Sequence, residues 1–280
     1  MEKAIKRYFP IFVLPTMIAF TLGFIIPFVE GVYLSFCKFT TVNDAKFIGF
    51  ANYAKVFADE TFVHAFWYTA AFTVVSVILI NVLAFAVALL LTKGFKGTNI
   101  FRTVFFMPNL IGGIVLGYIW QLLLNGILMK FSRTLTYSST YGFWGLIILM
   151  CWQQIGYMMI IYIAGIQNIP GELIEAAEID GATKWQILKK VTIPMVMPSI
   201  TVCTFLTLTN SFKLFDQNLA LTNGEPSKMS EMLALNIFNT FYGRTGYEGV
   251  GQAKAVIFFI IVAAISLTQL YFTRRKEVEN

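Results

Sequence analysis

The chain has 280 residues, 57% of them hydrophobic and 13% charged, with a mean hydropathy of +0.70. Soluble domains are roughly 45–50% apolar and about 25% charged, so the polar surface of a soluble fold is missing and a bilayer is the solvent implied. The net charge of +6 sits in small basic clusters beside apolar runs rather than in a basic domain, which argues against nucleic acid as partner and reads as the positive flanks of membrane spans.

A spanning helix needs about 20 mostly apolar residues to cross about 30 Å of hydrocarbon. Six segments qualify. The first, 11–37, follows the basic start MEKAIKRYFP, is much longer than the roughly 7–15 residues of a signal-peptide core, and lacks a small-residue cleavage site at the usual distance. It is expected to remain as a span. Segments 66–91, 101–124, 143–166, 194–215 and 255–272 follow, several holding Pro or Gly (Pro108, Gly112, Gly156, Pro198), which membrane helices tolerate because neighbours re-satisfy freed backbone groups. Lys and Arg are densest at Lys3, Lys6 and Arg7, at Lys93, Lys96 and Arg102, at Lys184, Lys189 and Lys190, and at Arg274, Arg275 and Lys276. The positive-inside bias then places both termini in the cytoplasm. The fold expected is all-α, one polytopic domain over 1–280 with six transmembrane helices, in the cell membrane.

The connection 170–193 is the charged exception, carrying Glu172, Glu175, Glu178 and Asp180 in nine residues. Pro170 suits a first helical turn, Gly181 suits the left-handed position that ends a helix, and Thr183 with Gln186 forms a capping box for the next one. Leu173, Ile174 and Ala177 share one face, and Trp185, Leu188 and Val191 form a second apolar stripe. An amphipathic elbow lying on the membrane is one reading of these residues. A knob that docks into a basic protein groove is the other. Acids match poorly with an anionic leaflet, and small Ala side chains permit close approach. The longest connection, 216–254, is rich in turn signals.

Polar side chains inside spans mark a cavity or an interhelical hydrogen bond, the latter worth about 0.6 kcal/mol on average. Gln153, Gln154 and Tyr157 share a face of the fourth span, Asn210 and Ser211 lie near the end of the fifth, and Asn109 follows Pro108 in the third. Lys213 and Asp216, at i and i+3, are expected to pair. His64 is the only His, and Cys37, Cys151 and Cys203 have no metal or redox spacing. Neither H-E-x-x-H nor G-x-x-x-x-G-K-[ST] is present, so no catalytic or metal site is expected and any ATP must be bound by another chain. An ion-coupled transporter would need ligating groups deep in the spans, and almost none are seen there.

The stretch EAAEIDGATKW, with Pro194 downstream, resembles the E-A-A-x-x-D-G-A … I-x-x-P signature of permease subunits in ATP-binding-cassette importers, with Val191 in place of the usual Ile. GFANYAKVFAD, FKGTNIFRTVFFMPNLIGGIVLGYIW, LTNGEP and GQAKAVIFFIIVAAIS resemble the carbohydrate-importing, maltose-type branch; Glu225 departs from a usual Gly. The resemblance implies a type I importer permease fold in which 170–193 couples to an ATPase. Glu175 would be the polar anchor, Ala176 and Ala177 the close-packing residues and Gly181 the turn, with Asp180, Ala182 and Trp185 completing the set. It implies a substrate pathway through Asn109, Gln153, Gln154, Tyr157, Ser211 and Phe212, and an outer loop 216–254 that faces a solute-binding protein. The partners implied are a second, homologous permease in a heterodimer, ATPase subunits holding ATP and Mg, an extracytoplasmic solute-binding protein and a sugar or oligosaccharide, with no cofactor in this chain. A glycerol-phosphate-type solute is the alternative within the same class.

Overall fold

The computed structural model describes residues 2–94 and 96–275; Lys276, counted above among the basic flanks, lies outside them. In chain order the helices are α1 (Glu2–Phe20), α2 (Ile26–Leu34), α3 (Ala51–Phe57), α4 (Glu60–Leu91), α5 (Thr98–Phe106), α6 (Gly113–Leu128), α7 (Ser139–Gln167), α8 (Gly171–Ile179), α9 (Lys184–Ile187), α10 (Ile193–Met195), α11 (Met197–Phe212), α12 (Asp216–Leu221), α13 (Leu233–Gly243) and α14 (Glu248–Arg274). A two-stranded hairpin, β1 (Cys37–Lys38) with β2 (Lys46–Phe47), pairs Cys37 with Phe47 and Lys38 with Lys46. Among the described residues five helices are long and apolar enough to cross a membrane, and six if a bent pair is one span.

Two π turns share one cause. Ile26 N–H bonds back five residues to Thr21, and Ile193 N–H five residues to Leu188. Each donor immediately precedes a proline, Pro27 or Pro194. A proline ring crowds the carbonyl four residues back and supplies no N–H, so the ladder slips by one residue just before it. The first π turn joins α1 to α2 and the second joins α9 to α10.

The second and sixth expected spans start earlier, at Glu60 and Glu248, and three others differ as well. The first ends at Leu34, because Cys37 is already in the hairpin. The third is broken: a 3₁₀ turn over Met107–Leu110, with Pro108 in its first turn, separates α5 from α6. The fifth begins earlier and bends by 70° between Lys184–Met195 and Met197–Phe212. The connection 216–254 also holds α12 and α13.

The chain forms two compact units. The first comprises residues 2–60 and 237–260. Within it, the Asn52 amide donates to the carbonyls of Ser35 (2.9 Å) and Cys37 (2.8 Å), tying α3 to the hairpin. Lys254 is fully buried, with Nζ 2.7 Å from Asp59 Oδ2 and 2.8 Å from Thr240 Oγ1. A buried cation persists only when paired and hydrogen-bonded, and these partners supply that. By contrast the most apolar stretch of the first span buries none of its residues.

The second unit comprises residues 61–236 and 261–275 and is built around α7. Leu146, Leu149, Met150, Met158 and Met159 of α7 form its core with Phe72 and Ile80 of α4 and Leu116 of α6. A polar clasp crosses that core: Tyr162 Oη donates to Asn81 Oδ1 (2.7 Å), and the Asn81 amide donates to Thr207 Oγ1 (3.3 Å). Gly156 of α7 lies directly against the Phe105 carbonyl, where any Cβ would collide with backbone.

Candidate functional sites: a polar recess and an acidic elbow

The recess forms where the fifth span stops. Lys213 ends α11 as its cap, the chain turns through Leu214 and Phe215, and Asp216 opens α12. This turn breaks the helical spacing on which a Lys213–Asp216 pair depends. Accordingly they form no ion pair, and both line an open polar recess of about 280 Å³ with Gln154, Asn210 and Gln217. The two charges therefore face a shared volume rather than each other.

Short α12 is held in place by glycine and amide chemistry. A Cβ at Gly113 would come within 2.7 Å of the Asp216 Cβ, and one at Gly117 within 2.6 Å of the Ala220 Cβ. Only the bare backbone of α6 lets α12 lie this close, the same use of small residues that packs membrane helices generally. The Gln121 amide donates to the Leu221 carbonyl (3.1 Å). Gln153 joins three elements, donating from Nε2 to the Ile111 carbonyl (3.3 Å) and accepting at Oε1 from Gln217 (2.8 Å).

Of the six pathway candidates, Gln154 lines the recess, buried and with no hydrogen-bond partner for its Oε1. Gln153 sits one hydrogen bond behind it. Ser211 is fully buried and its hydroxyl also lacks a partner, and Phe212 is buried beside it in α11. Tyr157 and Asn109 lie apart from the recess lining. Tyr157 is half-buried with its ring 6.5 Å from that of Phe106, and Asn109 is half-buried in the 3₁₀ turn. Of the eight buried side-chain polar atoms without partners among the described residues, two fall in or next to this recess. Sequence reasoning did not single out Gln217. Its signal was the Gly113-x-x-x-Gly117 spacing, which marks a close helix approach on the third span without naming the partner.

The elbow is built from two caps. The Ala182 N–H bonds to the Ala177 carbonyl and the Gly181 N–H to the Glu178 carbonyl, both at 3.0 Å. Together they make a Schellman closure of α8, with Gly181 at φ +77° as its left-handed residue. The next residue pair starts α9: the Thr183 N–H bonds to Gln186 Oε1 (2.7 Å), and Gln186 N–H returns to Thr183 Oγ1 (3.4 Å). Pro170 stands at the N-cap, one residue before the first turn expected for it.

The apolar faces differ from the pattern read in sequence. Ile187 is the buried residue of α9, while Trp185 is 69% exposed; Ile174 and Ala177 are half-buried, while Leu173 is exposed and Ile179 is 85% exposed. The π turn that begins at Leu188 rotates the later residues relative to Trp185. Glu175, Ala176, Asp180 and Gly181 are exposed and Ala182 is half-buried. Among the described residues the elbow's acids make no ion pair. A cleft of about 270 Å³ lies between α8 and α9, lined by Ala177, Asp180, Ile187 and Lys190 among others. The surface is thus a rigidly capped turn with acids and large apolar groups turned outward together.

Residues 80–278 match the family described as binding-protein-dependent transport system inner membrane component. The chain belongs to this family. It is 43% identical over 278 residues to a probable starch degradation products transport system permease protein, AmyD, of Thermoanaerobacterium thermosulfurigenes, covering 96% of this chain and 94% of that one. It is 29% identical to the multiple sugar-binding transport system permease protein MsmF of Streptococcus mutans, over 99% of both chains. Its fold matches a bacterial ABC transporter involved in the import of the acidic polysaccharide alginate, with a TM-score of 0.82 at 22% identity over 98% of each chain. The protein is a multi-pass membrane permease subunit of an ABC importer, not an enzyme.

Proposed function

We propose that this permease passes a sugar or oligosaccharide, delivered by an extracytoplasmic solute-binding protein, while a separate subunit binds ATP and Mg and hydrolyses the nucleotide. The observation that carries the reading is the recess: amides from Gln154, Asn210 and Gln217 gathered with Lys213 and Asp216 around one open volume. Amide and charged groups of both signs match a ligand rich in hydroxyls, each of which donates and accepts. The relatives named for starch products and multiple sugars support that solute class. Gln153, Ser211 and Phe212 shape the recess from behind, and Asn109 of the broken third span and Tyr157 of α7 belong to the same pathway.

The elbow 170–193 is the ATPase dock, with Glu175, Ala176, Ala177, Asp180, Gly181, Ala182 and Trp185 as its contact set. The basic flanks support a cytoplasmic position for it and for both termini. An ATPase shifts the permease between states only through a difference in its affinity for them, and a preformed knob on the chain before the bent fifth span is placed to register that difference. The stretch 216–254 meets the binding protein. A second, homologous permease completes the pathway in a heterodimer and covers part of the apolar first span.

The test is reconstitution of the chain with its candidate partner permease, ATPase and binding protein in liposomes, following uptake of a labelled maltooligosaccharide. Glu175→Lys is expected to lower ATP-dependent uptake at least tenfold while insertion and yield stay unchanged. Uptake that persists in Glu175→Lys, or that runs on an ion gradient without ATP, refutes the proposal.

A further inference from the structure

At the end of the second unit's bundle where α6 finishes and α7 starts, a cleft of about 260 Å³ opens between the two helices. Leu124 and Leu128 of α6, Leu135 of the connection, and Tyr141, Trp144 and Ile148 of α7 form its walls. Beyond Tyr141 the lining is apolar except for the Thr140 hydroxyl and the Trp144 indole N–H. Such a lining suits hydrocarbon better than ordered water, which needs two to four polar partners, or a sugar.

The mouth of the cleft has the opposite chemistry. Ser132, at φ +55°, reverses the chain after α6, with its N–H bonded to the Met129 carbonyl (3.0 Å) and the Arg133 N–H to the Leu128 carbonyl (3.1 Å). Arg133 is therefore set by backbone bonds beside the cleft. Its guanidinium donates to Tyr141 Oη, and lies 5.2 Å from the centroid of the Tyr137 ring and 5.7 Å from that of Tyr141. Because Tyr141 also lines the cleft, this hydrogen bond fixes the cation at its entrance. Among the described residues Arg133 has no carboxylate partner. The connection over the cleft is pinned in turn, since Asn125 Oδ1 accepts the Leu135 N–H at 2.8 Å. Gly145 also lines the cleft, where an added Cβ would come within 2.8 Å of the Leu135 side chain.

An apolar slot with an unpaired cation and exposed Tyr137 and Trp144 at its rim repeats the plan of a lipid: hydrocarbon below, phosphate at the interfacial aromatic level above. We propose that this cleft binds one phospholipid with an anionic headgroup, its acyl chain lying between α6 and α7 and its phosphate on Arg133. A guanidinium is suited to phosphate oxygens, which it can engage through two parallel N–H donors. The site stands apart from the polar recess and does not depend on which solute is carried.

Native mass spectrometry of the full chain in detergent, titrated in parallel with phosphatidylglycerol and phosphatidylcholine, tests the proposal. One phosphatidylglycerol is expected to be retained with at least a fivefold preference. Arg133→Gln should bring the two lipids to parity, and Ile148→Trp, which fills the slot from the lipid side, should reduce retention of both. Arg133 is exposed, so its replacement leaves the fold intact and decides the matter even if Ile148→Trp is misfolded. Equal retention of both lipids by the unaltered chain would mean ordinary surrounding lipid only and overturn the proposal. So would an undiminished preference in Arg133→Gln, displacement of the bound lipid by inorganic phosphate alone, or occupation of the cleft by the partner permease, detected as protection of Ile148→Cys from labelling in the assembled complex but not in lipid.

Discussion

Thirteen residues of α7 are buried, whereas α8 has none and α9 has only Ile187. These segments are consecutive in the chain, separated by Asn168–Pro170, yet their side chains answer to different neighbours. Along α7 the buried apolar groups pack against others inside the molecule, and Gly156 lies against the Phe105 carbonyl. Across the elbow the local turns are fully specified by caps, while Glu175, Ile179 and Trp185 are left facing outward. The contrast separates two kinds of constraint: α7 is shaped by packing against its neighbours, and the elbow by its own local caps.

The comparison breaks most sharply at the glycines. Gly156→Leu forces atoms into the backbone of α5, and overpacking that ordinarily costs about 1–3 kcal/mol is expected to exceed that range here. The measured result should be loss of a monodisperse, thermally cooperative species in detergent. Gly171→Ala, at the start of α8, meets open space and should leave the unfolding temperature unchanged. If both variants behave alike, the distinction fails. Gly181→Val sharpens it from the other side. Its left-handed φ of +77° costs an L-residue roughly 1–2 kcal/mol, confined to an exposed turn. The expected outcome is near-normal stability with ATP-dependent uptake reduced tenfold or more; normal uptake would show that the elbow's shape carries no function.

The smallest effect lies in the first unit. The Asp44 carboxylate accepts the backbone N–H groups of Thr40 and Thr41, each at 3.0 Å, and these bonds hold its pKa below the usual aspartate range. Because the folded-state pKa is the lower one, the stabilisation is complete above the ordinary aspartate pKa and fades as the pH falls through the depressed value. Protection of the Thr40 and Thr41 amides, measured as exchange relative to the intrinsic rate at each pH, should fall on acidification in the unaltered chain and be low throughout in Asp44→Ala. With the carboxylate fully exposed, the change should stay local to this turn. A cooperative loss of the whole unit on acidification would contradict that.

Much of this arrangement was legible in the residues themselves. Caps are local, so Gly181 and the Thr183–Gln186 box could be read directly. Apolar runs located the spans because a bilayer demands about 20 such residues whatever they touch. Helix ends were less legible: α4 reaches Glu60, well before its apolar run, since hydrogen bonding continues past the hydrophobic segment. The bend after Met195 and the break at Met107–Leu110 were signalled only by prolines, which announce a disturbance without its angle. Residues 216–221 looked like loop, as six residues are too few for a periodic signal. Their helix exists through tertiary contact with Gly113 and Gly117, and the recess it closes was correspondingly hidden. The burial of Lys254 was equally invisible, because its partner Asp59 lies 195 positions away.

The 70° angle at Val196 makes the fifth span a bell crank. Its long arm, the 16 residues of α11, is roughly 24 Å long at 1.5 Å per residue. A tilt of about 10° about that corner therefore sweeps the far tip, where Ser211 and Phe212 lead into Lys213, through roughly 4 Å, on a helix of that length. Modest torque on the short arm becomes a displacement comparable to the width of a hydroxyl-bearing ring.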